Sequence, residues 1–180
     1  MATPFPRARR GRKLLPYLLA ISGLSALPAW ADPPPQLAGL FMQSCMPYAG
    51  DPAGLRAWAA KIGLPQVPDP ARAAFLHSAP GIVFDASIPP EKYVVVSSDD
   101  GICATVTNQA EGSAVVTAVE DDLKLAGVQF RLAIERDDKQ VGQIHNREYL
   151  ATKNGRSWRI LVATVKDPQG GQAMLTAAPE

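Results

Sequence analysis

Cysteine and histidine occur only twice each in the 180 residues, and the scarcity of these reactive side chains narrows the chemistry at once. His77 and His145 lie far apart in the chain. Without a His-Glu-x-x-His pair or a third clear ligand they do not form a zinc-type site, so no metal is expected. Cys45 and Cys103 are not arranged as Cys-x-x-Cys, the usual spacing for dithiol exchange. The glycine-rich phosphate cradles of dinucleotide and P-loop folds are missing, as is the Gly-x-Ser-x-Gly turn that exposes a hydrolase serine. No cofactor is expected, and no internal repeat is visible.

The basic residues, by contrast, are unevenly placed. Arg7, Arg9, Arg10, Arg12 and Lys13 precede LLPYLLAISGLSALPAW, an apolar run broken by small residues, Pro16 and Pro28. It falls short of the ~20 residues that a membrane-spanning helix needs. Ala29-Trp30-Ala31 closes it with small residues at the two positions that direct cleavage. This is the pattern of a secretory signal peptide over residues 1–31, cut between Ala31 and Asp32. Arg9-Arg10 is followed by Gly-Arg-Lys, which favours the general secretory route over twin-arginine export. No cysteine stands near the cut, which argues against a lipid anchor, and no stable membrane insertion is expected after cleavage. Cleavage removes five bases and no acid, leaving thirteen Lys and Arg against seventeen Asp and Glu, so the formal +1 of the whole chain becomes about −4. A mildly acidic domain has no basic stripe to neutralise phosphates, so nucleic acid and anionic membrane surfaces are not expected partners.

Roughly 150 residues remain, enough for one domain with one core. A short Pro-rich leader, 32–36, precedes a single domain at 37–180, with a helical part at 37–78 and a sheet-plus-helix part at 79–180. LAGLFMQSCMPYA sets Leu37, Leu40, Phe41, Ser44 and Cys45 on one helical stripe. DPAGLRAWAAKIGLP reads as a helix capped by Asp51, with Pro52 at its first position and Gly63 and Pro65 at its end. Its expected inner face is Leu55, Trp58, Ala59 and Ile62. Asp69 and Pro70 repeat that start for a third, short helix.

From residue 81 the period changes to that of strands: GIVFDAS, KYVVVSS and GICATVT. A three-residue loop ending at Gly101 sets Val94 and Val96 beside Ile102, Ala104 and Val106, leaving Cys103 on the other face with Thr105 and Thr107. SAVVTAVEDDLKLAG reads as a helix capped by Ser113 and ended by Gly127. Its inner stripe is Val116, Val119, Leu123 and Ala126, and Glu120, Asp121 and Asp122 form a solvated face. VQFRLAIER, QIHNREYLATK, RSWRILVATVK and QAMLTAA follow as strands. The Asn154-Gly155 turn pairs Tyr149 with Ile160 and Ala151 with Trp158. The expected fold class is α+β: N-terminal helices, then an antiparallel sheet of about six strands with one helix inserted.

In an oxidising compartment two cysteines form a disulfide by default, so Cys45 and Cys103 are assigned to one bond. The catalytic alternative makes Cys103 a thiolate activated by His77 or His145. Asp99 and Asp100 in the turn, and Ser97 and Ser98 before it, are read as turn and strand-end residues. On a strand, His145 and Glu148 point to opposite faces and cannot share a ligand.

LFMQSC at 40–45, GLRAWAAKIGLP at 54–65, AFL and PGIVFD between 74 and 85, and SDDGIC at 98–103 resemble a small, uncharacterised family of proteobacterial periplasmic proteins and lipoproteins. The resemblance covers the first half of the mature chain and implies an envelope location and a paired-cysteine scaffold, with no activity to transfer. The chain is therefore expected to be a secreted periplasmic, non-catalytic protein that binds an envelope protein or a small ligand. The alternatives are a hydrolase or transferase with an unrecognised site, and an inhibitor of an envelope enzyme. Expression with export should yield a chain whose intact mass and N-terminal sequence begin at Asp32. A product that keeps Met1 would contradict the signal assignment.

Overall fold

The computed structural model describes residues 36–138, 143–165 and 171–180, all within the compact unit Asp32–Glu180. The signal segment, the Ala31 and Asp32 junction and most of the leader lie outside the described residues; Gln36, the last leader residue, is already helical. Three helices come first: α1 (Gln36–Tyr48), α2 (Pro52–Lys61) and α3 (Asp69–Leu76). Asp51 caps α2 as expected, its carboxylate accepting from the Gly54 amide at 2.9 Å. Gly63, at φ 77°, ends α2, with Gly63 donating to Ala60 and Leu64 to Ala59. Those two bonds satisfy carbonyls that the last turn leaves open. Asp69 is not a cap; Pro68 takes that position, and Asp69 sits inside the first turn of α3 facing Arg72.

The strands are β1 (Gly81–Asp85), β2 (Tyr93–Ser98) and β3 (Cys103–Ala110), then β4 (Gln129–Asp138), β5 (Ile144–Lys153), β6 (Arg156–Val165) and β7 (Gly171–Pro179), with helix α4 (Gly112–Leu125) between β3 and β4. All pair antiparallel in one seven-stranded sheet of order β1-β2-β3-β7-β6-β5-β4. The fold is α+β, and the count is seven strands rather than about six, because GIVFD pairs along its whole length with β2. After β3, α4 carries the chain to the far edge, and a four-stranded meander walks back until β7 seats between β3 and β6.

Alternation along the strands decides which side chains share a face. Tyr93, Val95, Cys103, Tyr149, Ala151, Trp158, Ile160, Val162 and the β7 residues Ala173, Leu175 and Ala177 form one continuous buried face. Leu37, Phe41 and Cys45 of α1, Leu55 and Ala59 of α2, and Val115, Val119 and Leu123 of α4 cover it. The opposite face of the first strands carries a smaller cluster, Val83, Val96 and Ala104 with Leu76 of α3. Two helix-face expectations need correction. Ile62 is 52% exposed because it lies past the last turn of α2, and Val115 replaces Val116 as the buried residue of α4. Glu111, not Ser113, accepts from the Ser113 and Ala114 amides, so the helix begins earlier.

The hairpins agree with their turn residues. Ser98 and Ile102 bracket Asp99-Asp100-Gly101, and Gly101 has φ 90°. Val94 faces Val106 and Val96 faces Ala104, which leaves Cys103 on the helix-covered side. Asn154 and Gly155 both take positive φ, 52° and 77°, and Tyr149 meets Ile160 while Ala151 meets Trp158. Arg156 ties that hairpin to the end of α1, donating to Pro47 O at 2.9 Å and Ala49 O at 3.0 Å.

Cys45 and Cys103 are bonded, with Cα atoms 5.2 Å apart and both side chains buried. Closing a loop of 58 residues removes denatured-state freedom. Changing both cysteines to alanine should lower the unfolding free energy by about 2–5 kcal/mol. Urea unfolding of the oxidised wild type against the double variant measures it, and coincident curves would contradict the closed bond.

Candidate functional site

The densest set of polar side chains lies where α4 crosses the last two strands of the sheet. His145, Arg147 and Tyr149 alternate along β5, so all three project toward the helix side. β4 sets Glu135 opposite Arg147 and Asp137 opposite His145. Glu120 reaches down from α4, where its Oε1 accepts from the Tyr149 hydroxyl at 2.6 Å and from Arg147 Nη1 at 3.2 Å. Arg147 Nε faces Glu135 Oε1 at 3.3 Å, although its N–H is not aligned for a hydrogen bond. The same Glu135 oxygen lies 3.2 Å from His145 Nε2, and Asp137 Oδ1 lies 2.8 Å from His145 Nδ1. A neutral imidazole donates through one nitrogen only, whereas a ring protonated on both donates to both carboxylates.

A bulge makes this ladder possible. Leu132 faces Tyr149 and Ile134 faces Glu148, so Ala133 is an extra residue on β4. Phe130 and Leu132 point to the helix side before the bulge; after it, Glu135 and Asp137 do. Without the extra residue Ile134 and Arg136 would occupy those places, since a one-residue slip reverses every side chain.

Electrostatically the ladder alternates acid and donor. Burial raises the Tyr149 phenol well above its ordinary range, and the bond to Glu120 raises it further, because a phenolate would lie against a carboxylate. Asp122, two residues further along α4, is also raised, first by burial and then by Asp121. The three acids of α4 are therefore not one solvated face. Asp121 pairs with Lys124 in solvent, while Glu120, four residues after Val116 and three before Leu123, borders the buried stripe and faces the sheet.

The residues singled out from sequence are scattered. Cys103 lies on β3 and His145 on β5, with β7 and β6 between them, so they stand about 14 Å apart across the sheet alone. Cys103 is moreover spent in the disulfide. His77 ends α3 in a left-handed conformation and is exposed. Asp99 pairs with Arg56, which also donates to Ser97 Oγ at 3.3 Å, and Asp100 accepts from the Ile102 amide at 3.1 Å. Glu148 points away from His145 and pairs with Arg159 at 2.9 Å. Among the described residues no group of three or more His, Cys, Asp or Glu is arranged to hold a metal ion, and no helix is long and apolar enough to cross a membrane.

No family model matches the chain, and no curated protein or solved structure is significantly similar to it.

The ladder joins α4 to the sheet. Glu120→Ala should cost about 1–3 kcal/mol in urea unfolding, because Arg147 and the Tyr149 hydroxyl lose a partly buried charged acceptor. The raised Tyr149 phenol also fixes the sign of an alkaline effect. Its contribution is complete below the unfolded-state value of about 10 and is lost as pH rises above it. Stability should therefore fall above pH ~10 less steeply in Tyr149→Phe than in wild type. Parallel slopes would contradict the Tyr149 to Glu120 contact.

Proposed function

We propose that this chain is an exported, periplasmic protein that acts by binding another envelope protein rather than by turnover. The observation that carries the reading is the contrast between the ladder and the strand beside it. The ladder's acids and donors engage one another, while β4 lies at the end of the sheet with Arg131 through Asp137 all exposed. Glu120, Arg147, Glu135, His145 and Asp137 each contact a neighbour within the ladder, so none of them stands apart as a lone acid, base or nucleophile. An exposed strand edge offers a row of backbone groups that a second chain can pair with.

Three further points support it. The cysteine pair forms a structural bond, which removes the nucleophile on which the thiolate alternative depended. A disulfide fits an oxidising compartment. The N-terminal 31 residues have the composition of an export signal.

The test has two arms on the mature, oxidised protein. Incubation with peptidoglycan, peptide, ester and glycoside substrates should give no more product than the urea-unfolded sample. Photo-crosslinking from a residue placed on β4, in cells that export the protein, should trap one discrete envelope protein. Robust turnover that a single side-chain substitution abolishes would overturn the reading, as would the absence of any crosslinked species from β4 and from every other exposed strand and helix.

A further inference from the structure

The two edges of the sheet are treated differently. The outer side of β1 is sealed by the segment before α3: the Val67 amide donates to Val83 O and the Asp85 amide to Pro65 O, both at 2.8 Å, and Gln66 bridges Phe84. Among the described residues no backbone group pairs with the outer side of β4 from Arg131 to Asp137. On that strand charge is sorted by face. Glu135 and Asp137 point to the helix side, where they contact Arg147 and His145. Arg131 and Arg136 point to the other face, opposite Leu150 and Asn146, and no described carboxylate lies within ion-pair distance of either. Glu148, the nearest acid of that face by register, is held by Arg159. Ile134, 43% exposed, stands between the two arginines.

A second copy of this chain is a poor occupant. Antiparallel pairing of Ile134–Asp138 with itself must keep faces matched, and each register centred there sets like charges directly opposite. Centred on Glu135, Arg136 or Asp137 the pairs are Glu135 on Glu135, Glu135 on Asp137 with Arg136 on Arg136, or Asp137 on Asp137; centred on Ile134 the bulge sets Arg136 on Arg131, and centred on Asp138 it is Asp138 on Asp138, and such pairs destabilise a ladder. On the face away from the helices, the charge left without a described partner on β4 is positive.

We propose that β4 accepts an extended strand from a different envelope protein, carrying an acid-x-apolar-x-acid pattern whose carboxylates meet Arg131 and Arg136. The spacing comes from the bulge. Arg131, Ile134 and Arg136 face Leu150, Glu148 and Asn146, positions spaced by two along β5. A regular strand on the open side meets them at the same spacing, with its apolar residue on Ile134 and an acid at each end. Main-chain bonds supply affinity, and the two charge pairs supply selectivity and salt dependence. This docking site rests on the reading that the protein works by binding another protein.

The probe is a labelled, end-capped peptide with the core Glu-Thr-Val-Thr-Glu, compared by fluorescence anisotropy with Lys-Thr-Val-Thr-Lys and with an acidic version N-methylated on its pairing amides. The mature protein should bind the acidic peptide about ten-fold more tightly than the basic one, less so at high salt. Arg131→Glu with Arg136→Glu should reverse that preference, and N-methylation should abolish binding. Both arginines are exposed, so the variant should keep the wild-type melting temperature; if it does not fold, Arg131→Gln with Arg136→Gln replaces it and should lose the preference. Equal affinity for the two peptides, no binding of either, full binding of the N-methylated peptide, or an unaltered preference in the folded variant would each overturn the proposal. If the peptides fail while crosslinking from another surface succeeds, the docking site falls and the binding function stands. If both fail, both fall.

Discussion

The bond between Cys45 and Cys103 fixes the relation on which the rest of the domain depends, that of α1 to the helix side of β3. Cys103 shares its face with Thr105 and Thr107, so whatever bonds to it must roof that face. α1 does so with Leu37 and Phe41, and α4 extends the cover with Val115, Val119 and Leu123. Other contacts then follow close by. The Gly50 amide donates to Gly101 O at 2.8 Å, and a side chain on Gly101 would come within 3.0 Å of the Gly50 Cα. Arg156 draws the Asn154-Gly155 hairpin onto the last carbonyls of α1. The helical third and the sheet are thus held at one end by a covalent bond, a glycine-glycine approach and an arginine fork.

The order of strands adds a second constraint. β7 is the last segment of the chain and sits in the middle of the sheet, with Ala173, Leu175 and Ala177 buried beneath the helices. Neither three-stranded nor four-stranded meander can bury its inner face fully until β7 joins β3 to β6. The helix-facing residues of this strand, two alanines around Leu175, pack beneath α1 and α4. Most pairings across that joint are long-range, so loop-closure entropy must be spent before they stabilise anything.

At the other end of the sheet a single inserted residue sets the surface chemistry. The Ala133 bulge turns Glu135 and Asp137 toward His145 and Arg147 and leaves Arg131, Ile134 and Arg136 on the open face. The acids on one side of β4 are therefore in contact with Arg147 and His145, while on the other side the arginines have no described carboxylate within ion-pair distance. Charges and bulges on an edge strand discourage indiscriminate pairing. Here the sorting by face also discriminates between partners, since a strand with carboxylates on one side gains what a copy of the same chain loses.

Much of this was readable in the residue order, and the parts that were not share a cause. Helix starts at Asp51 and Pro52, the Gly101 and Asn154-Gly155 turns, the face of Cys103 and the pairing of Tyr149 with Ile160 depend on neighbours a few positions apart, where local sterics and alternation decide. The cysteine bond followed from count and compartment. The ladder was half visible, in the alternation of His145, Arg147 and Tyr149, but its acids were not, because a bulge leaves no turn residue to mark it. Glu120 was misread as solvated although its spacing from Val116 and Leu123 puts it at the border of the buried stripe, where its contact with Arg147 and Tyr149 on a distant strand decided its direction. Residue order by itself determined which segments become helix or strand and which side chains share a face. Tertiary structure alone decided that β7 lies at the centre, that β1 is sealed while β4 is open, and which acids meet which cations. Those outcomes depend on contacts between segments far apart in the chain, whose energies no local pattern contains.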